Sequence, residues 1–100
     1  MKFPVSKFTV FGNSMFPTLK KGQDIVSFNW AYLNRKPKKG EIVVIKYKGL
    51  EMVKRVEKVE GEQVFVEGDN KEESTDSRNF GSIGLDQVVG KVVYGPDDIS

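Results

Sequence analysis

Residues 41–67 read EIVVIKYKGLEMVKRVEKVEGEQVFVE. Glu41 to Tyr47 is rich in β-branched residues and follows a Pro-Lys-Lys-Gly turn, and Lys48-Gly49 separates it from Leu50 to Val59, a second β-type run. Two such runs around a two-residue Gly-containing turn predict an antiparallel hairpin. Glu60-Gly61-Glu62 then turns the chain into a third run, Gln63 to Glu67. Val53, Val56 and Val59 break strict alternation, which predicts a bulge or a fully buried stretch in the middle strand. Lys54 and Val56 then share a face, so a lysine stands among core residues while Arg55 points the other way.

Working outward, Phe8 to Phe11 reads as a first strand ended by Gly12 and Asn13. Asp24 to Phe28, extendable to Leu33, reads as a second strand after the Lys20-Lys21-Gly22 turn, and Val88 to Tyr94 closes the sheet. Gly68 to Gly81 is polar and rich in turn formers, a long ordered loop with one helical turn near Glu72. No window of helical length carries a sustained 3.6-residue apolar period. The expectation is a mainly β fold, one compact domain over residues 1–100 whose antiparallel strands form a coiled sheet or partly open barrel. One hundred residues with 38% hydrophobic and 30% charged side chains suit one modest core and no second unit.

The chain has neither Cys nor His. That excludes disulfides, thiolate and imidazole catalysis, and zinc sites of the usual kind. No metal and no cofactor is expected. The longest apolar runs are four residues, Trp30 to Leu33 and Ile42 to Ile45, far short of the roughly 18 a membrane-crossing helix needs. Met1 to Val10 lacks the contiguous apolar segment of a secretory signal.

The net charge of +2 conceals an asymmetry. Residues 1–50 carry ten Lys/Arg against two acids, and residues 51–100 carry six against twelve. Half of the basic excess clusters at Arg35, Lys36, Lys38 and Lys39 around Pro37, with Lys46 nearby, which reads as a solvated turn. No nucleic-acid partner is expected.

Three segments carry unusual chemistry: Gly12-Asn13-Ser14-Met15-Phe16-Pro17-Thr18-Leu19, Met52-Val53-Lys54-Arg55-Val56, and Gly68-Asp69-Asn70 with Ser74-Thr75-Asp76-Ser77-Arg78. Singly, each has a structural explanation: a turn cap, a snorkelling lysine, a loop ion pair. Together they meet a chemical requirement. A serine hydroxyl needs a base to take its proton, and without His the workable partner is lysine. An ordinary lysine sits about 3.4 pKa units above neutrality, so deprotonating it at pH 7 costs ~4.6 kcal/mol. Burial must supply that shift, and Lys54, between Val53 and Val56 and beside the Ile42 to Ile45 strand, is suited to receive it.

In order and wording the three segments resemble the boxes of the signal peptidase I family of Ser/Lys endopeptidases, and the likeness covers about residues 10–94. The resemblance implies that Ser14 is the nucleophile and Lys54 the general base, with the backbone N–H of Ser14 donating to the oxyanion. It also implies that Ser74 orients the Lys54 amine and that Asp76 and Arg78 pair to hold their loop, while Gly68, Asp69 and Asn70 have a structural role. Some members carry a serine oxyanion donor where this chain has Gly12. The substrate implied is an extended protein or peptide, paired along a strand edge and cleaved after small residues, which removes an N-terminal signal or pro-segment. Phe11, Met15 and the Ile42 to Ile45 strand are the expected pocket walls.

Typical members have membrane-spanning helices before the nucleophile, and this chain has thirteen residues there. It therefore reads as an excised catalytic domain, anchored with that domain outside the membrane, or as a soluble relative in the cytoplasm or peripheral to the bilayer. Its compact length, the Gly12-Asn13-Ser14-Met15 opening and the Ser74-Thr75-Asp76-Ser77-Arg78-Asn79-Phe80-Gly81 run most resemble the small soluble members of the nickel superoxide dismutase maturation protease type. Peripheral membrane contact through Phe28, Trp30, Tyr32 and Leu33 is compatible with the sequence, and the oligomeric state is left open. Two other classes stay in view: the self-cleaving Ser/Lys domain of SOS-type repressors, and a non-enzymatic β-barrel binding nucleic acid or anionic membrane.

Overall fold

In the computed structural model, which describes residues 4–93, the Ile42–Ile45 run is buried at all four positions, each no more than 3% exposed. Successive strand side chains point to opposite faces, so an unbroken buried run requires both faces of the sheet to be covered. They are. Ile42 and Val44 enter one core with Val10, Met15, Leu19, Ile25 and Val92. Val43 and Ile45 enter a second core with Val56, Val64, Val66, Ile83 and Val88.

The strands are β1 (Val5–Thr9), β2 (Asp24–Phe28), β3 (Ile42–Tyr47), β4 (Leu50–Glu60), β5 (Gln63–Glu67), β6 (Ile83–Gly84) and β7 (Val88–Val93). They form one open sheet in the order β1-β2-β7-β3-β4-β5-β6, with every pair antiparallel. The fold is thus mainly β, as expected. The β3–β4 hairpin turns at Lys48-Gly49, both in the left-handed region. The irregularity expected in β4 is a register shift between Val56 and Lys58 against β5.

Several boundaries differ from the sequence reading. The first strand is Val5–Thr9 rather than Phe8 to Phe11, because its ladder runs from Val5 opposite Phe28 to Thr9 opposite Asp24. Val10 then closes a turn, donating to the Gln23 carbonyl and accepting from the Gly22 N–H. β2 stops at Phe28. The Ala31 N–H turns back to the Phe28 carbonyl and that of Leu33 to the Trp30 carbonyl, leaving Phe28, Trp30 and Leu33 on the surface. The 68–81 loop contains the 3-10 turn expected near Glu72, at Lys71–Glu73, and also a short helix, α1 (Ser77–Phe80). Asp76 caps that helix reciprocally with Asn79, an Asp-x-x-Asn capping signal legible in the sequence. Tyr94, taken as the last residue of the final strand, lies outside the described residues.

Candidate active site

β1 leads through Val10 and Phe11 to Gly12, whose φ of +73° turns the chain without steric penalty. The Phe16 N–H returns to the Asn13 carbonyl at 3.1 Å and the Leu19 N–H to the Met15 carbonyl at 2.9 Å, coiling residues 13–19 into consecutive turns. Met15 and Leu19 are fully buried. Each contributes about 1.5–3 kcal/mol of apolar burial, which fastens the segment to the core and leaves Ser14 half-exposed above it. The hydroxyl carrier is held by its neighbours' burial.

Lys54 lies in β4 opposite Val43 and is 4% exposed. Its Nζ donates to Ser74 Oγ at 3.0 Å, and Ser74 Oγ donates to Asp76 Oδ2 at 2.6 Å. Because the Ser74 proton is committed to the carboxylate, its lone pairs face the amine. Burial lowers the Lys54 pKa from the ordinary lysine value; the Asp76 charge opposes the shift and the Arg78 charge adds to it. The net direction is toward the neutral amine.

Asp76 is wholly buried. Burial by itself would raise its pKa, but hydrogen bonds from Arg78 and Ser74 and from the Gly68 and Arg78 backbone N–H groups hold it far below the usual carboxylate range. Arg78 reaches it through Nε at 3.0 Å and Nη2 at 3.1 Å. Asp76 and Arg78 thus pair within the loop, and Ser74 meets the Lys54 amine.

Gly68, Asp69 and Asn70 each touch the Ser14 segment or its surroundings. The Asn70 N–H donates to the Ser14 carbonyl at 2.8 Å. A Cβ on Gly68 would stand 2.2 Å from Ser74 Oγ and 2.5 Å from the Ser14 carbonyl oxygen, so only glycine lets the segments carrying Ser14 and Ser74 meet there. Asp69 receives Arg55 through Nε and Nη2, both at 2.8 Å, and the Thr18 hydroxyl at 2.5 Å. The Arg55 hydrogen bonds are the main cause of its lowered pKa, against burial and with help from Thr18.

Sequence reasoning missed Arg55 and Thr18 as members of this site. Through Asp69 they tie the turn that carries Ser14 to the strand that carries Lys54. The available signal was the strand alternation that sends Arg55 to the face opposite Lys54, where an arginine next to a loop aspartate finds its partner.

Ser14 and Lys54 line one cleft of about 270 Å³, with Phe8, Phe11, Met15 and Met52 among its walls. The expected Ile42 to Ile45 wall is a correction: those side chains fill the two cores, and β4 supplies Met52 and Val53 in their place. Gly12 lines the cleft without offering a side-chain donor, and open space surrounds the position its Cβ would take. Lys54 meets Ser74 in a hydrogen bond, whereas Ser14 Oγ forms none among the described residues.

The family model described as "Signal peptidase, peptidase S26" matches residues 1–64 and 48–94. The chain belongs to the signal peptidase, peptidase S26, family. S26 members are serine endopeptidases, and this assignment carries that reaction class. Signal peptidase IB of Staphylococcus aureus strains Mu50, N315 and MW2 is in each case 29% identical over 149 aligned positions, covering 93% of this chain and 78% of the relative. The alignment is longer than the 100-residue chain, so the relatives carry segments that this S26 chain lacks between matched positions. No helix among the described residues is long and apolar enough to cross a membrane.

The basic loop is partly consumed internally. Arg35 grips Glu41 through Nη1 at 3.1 Å and Nη2 at 2.7 Å, and Lys36 donates to the Gly61 carbonyl at 2.9 Å. The Tyr32 hydroxyl donates to the same Glu41 at 3.0 Å. Such pairing suits a braced turn better than a nucleic-acid surface.

Proposed function

We propose that this chain is a single-domain Ser/Lys endopeptidase that removes an N-terminal signal or pro-segment from an extended protein substrate after small residues. Ser14 is the nucleophile and Lys54 the general base. The observation that carries the reading is a buried lysine of lowered pKa, oriented by Ser74 and sharing one cleft with a serine whose hydroxyl forms no hydrogen bond among the described residues.

The chemistry follows from the geometry. With one N–H of the neutral amine on Ser74, its lone pair is left for the Ser14 proton. As that proton moves to Lys54 Nζ, Ser14 Oγ bonds to the scissile carbonyl carbon, and the carbonyl π pair becomes an oxyanion facing the Ser14 N–H. The ammonium then gives its proton to the departing amine, the C–N bond breaks, and an acyl-serine remains. Water attacks that ester with Lys54 again as base, releasing the acid and restoring the hydroxyl. Asp76 and Arg78 fix Ser74, and Arg55, Asp69 and Thr18 fix the turn that carries Ser14.

The test uses a peptide with an Ala-x-Ala cleavage context. Ser14→Ala and Lys54→Ala are expected to lower kcat by about four orders of magnitude or more while keeping the parental circular dichroism. Only the neutral amine accepts a proton, so kcat/KM rises with pH along a limb centred below the ordinary lysine value of 10.5. Parental cleavage by Ser14→Ala overturns the assignment.

A further inference from the structure

The tetrahedral intermediate needs donors preorganised around its oxyanion, and each one is worth a large factor in rate. The turn geometry supplies the first. The Asn13 carbonyl points into the turn to accept from the Phe16 N–H, and a trans peptide sets the following N–H in the opposite direction. The Ser14 N–H therefore faces outward and makes no hydrogen bond among the described residues.

Few side-chain groups lining the cleft can supply the second. Ser14 and Lys54 are the reacting pair, and the Thr9 hydroxyl is committed to Asp24 at 2.9 Å. Asn13 and Thr75 are left, both exposed and both without a side-chain hydrogen bond among the described residues. Thr75 belongs to the loop that carries Ser74, whereas Asn13 directly precedes Ser14 in the chain. Two oxyanion donors must converge on one oxygen, so the second has to stand beside the Ser14 N–H. Asn13 adjoins the outward Ser14 N–H.

Resting on the Ser14/Lys54 reading, we propose that the Asn13 carboxamide is the second oxyanion donor, its Nδ2–H joining the Ser14 N–H on the negatively charged oxygen. It does the work for which Gly12 has no side chain. Since the carboxamide is exposed in the free enzyme and must exchange water for the oxyanion, its contribution falls below the 100- to 1,000-fold usual for such donors, at about 10- to 100-fold in kcat.

The experiment measures steady-state cleavage of the Ala-x-Ala peptide by Asn13→Ala and Asn13→Asp, together with inhibition by a peptide aldehyde. The aldehyde forms a tetrahedral adduct with Ser14, and an uncleavable peptide of the same sequence reports ground-state binding. Asn13→Ala should lower kcat about 10- to 100-fold with KM nearly unchanged. Aldehyde affinity should fall by the same factor and uncleavable-peptide affinity should not. Asn13→Asp, equal in shape but repelling the oxyanion, should lose more than Asn13→Ala at unchanged melting temperature. A kcat within about twofold of the parent for Asn13→Ala, or equal losses of aldehyde and uncleavable-peptide affinity, overturns the proposal. Ser14→Ala run in parallel separates the two readings: if it is inactive while Asn13→Ala is normal, only the Asn13 role falls, and if it cleaves normally the dyad itself falls.

Discussion

Adding one methyl group at Gly68 should lower activity far out of proportion to its effect on stability. The alanine Cβ would lie 2.2 Å from Ser74 Oγ, 2.6 Å from Ser74 Cβ and 2.5 Å from the Ser14 carbonyl oxygen. Ordinary contacts lie near 3.4–4 Å, so the neighbours must retreat by roughly 1 Å. Neither retreats freely. The Ser14 carbonyl is held by the Asn70 N–H at 2.8 Å, and Ser74 is fixed between Lys54 at 3.0 Å and Asp76 at 2.6 Å. Overpacking of this kind costs about 1–3 kcal/mol of stability, whereas a 1 Å misplacement of reacting groups costs about 100-fold in rate. The assay pairs kcat/KM on the Ala-x-Ala peptide with thermal melting, and takes Gly61→Ala as control. Gly61 has φ of +59° and open space at its Cβ, so alanine there costs about 1 kcal/mol of backbone strain with no contact to the site. The expected result is a large activity loss for Gly68→Ala and near-parental activity for Gly61→Ala at comparable melting temperatures. A Gly68→Ala enzyme within about threefold of the parent refutes the close-approach account.

Asp76→Asn removes a buried charge that accepts hydrogen bonds from Ser74, Gly68 and Arg78, and should cost about 2–3 kcal/mol in a denaturant melt, moderated because Arg78 is partly exposed. Since Asp76 raises the Lys54 pKa, the residual activity should show its pH–rate limb displaced to lower pH, and an unmoved limb contradicts the electrostatic coupling. Glu41 accepts from Arg35, the Lys38 N–H and Tyr32, which overcome burial and bring its pKa from 4.5 down to about 2. A depressed folded value means that this stabilisation is complete above about 4.5 and fades as pH falls toward 2. The melting-temperature gap between the parent and Glu41→Gln should therefore narrow over that interval, and a constant gap argues against the ion pair.

Much of this was legible from residues 41–67, because hairpin turns and β-branched runs are local signals. The 3-10 turn near Glu72 and the bulge in β4 were readable for the same reason. The limits were equally physical. Phe8 to Phe11 looked like a strand because it is apolar, yet strand bounds depend on where a partner's ladder begins, and β2 offers none to Phe11. The Ile42 to Ile45 run looked like a pocket wall until both faces of the sheet proved to be covered. The Arg55–Asp69–Thr18 link joins residues up to 51 positions apart, a separation at which no local pattern operates.

The amino-acid order alone established a β protein without thiol or imidazole chemistry, and left serine and lysine as its workable reactive pair. Those conclusions depend on residue identity and near-neighbour spacing. Folding decided which atoms meet: a lysine loses its water only when β3, β4 and the 68–81 loop close around it, and the Ser74 hydroxyl turns its lone pairs to that amine only because a buried carboxylate takes its proton. Desolvation and hydrogen-bond direction are properties of the assembled surroundings, so they came into being with the tertiary structure.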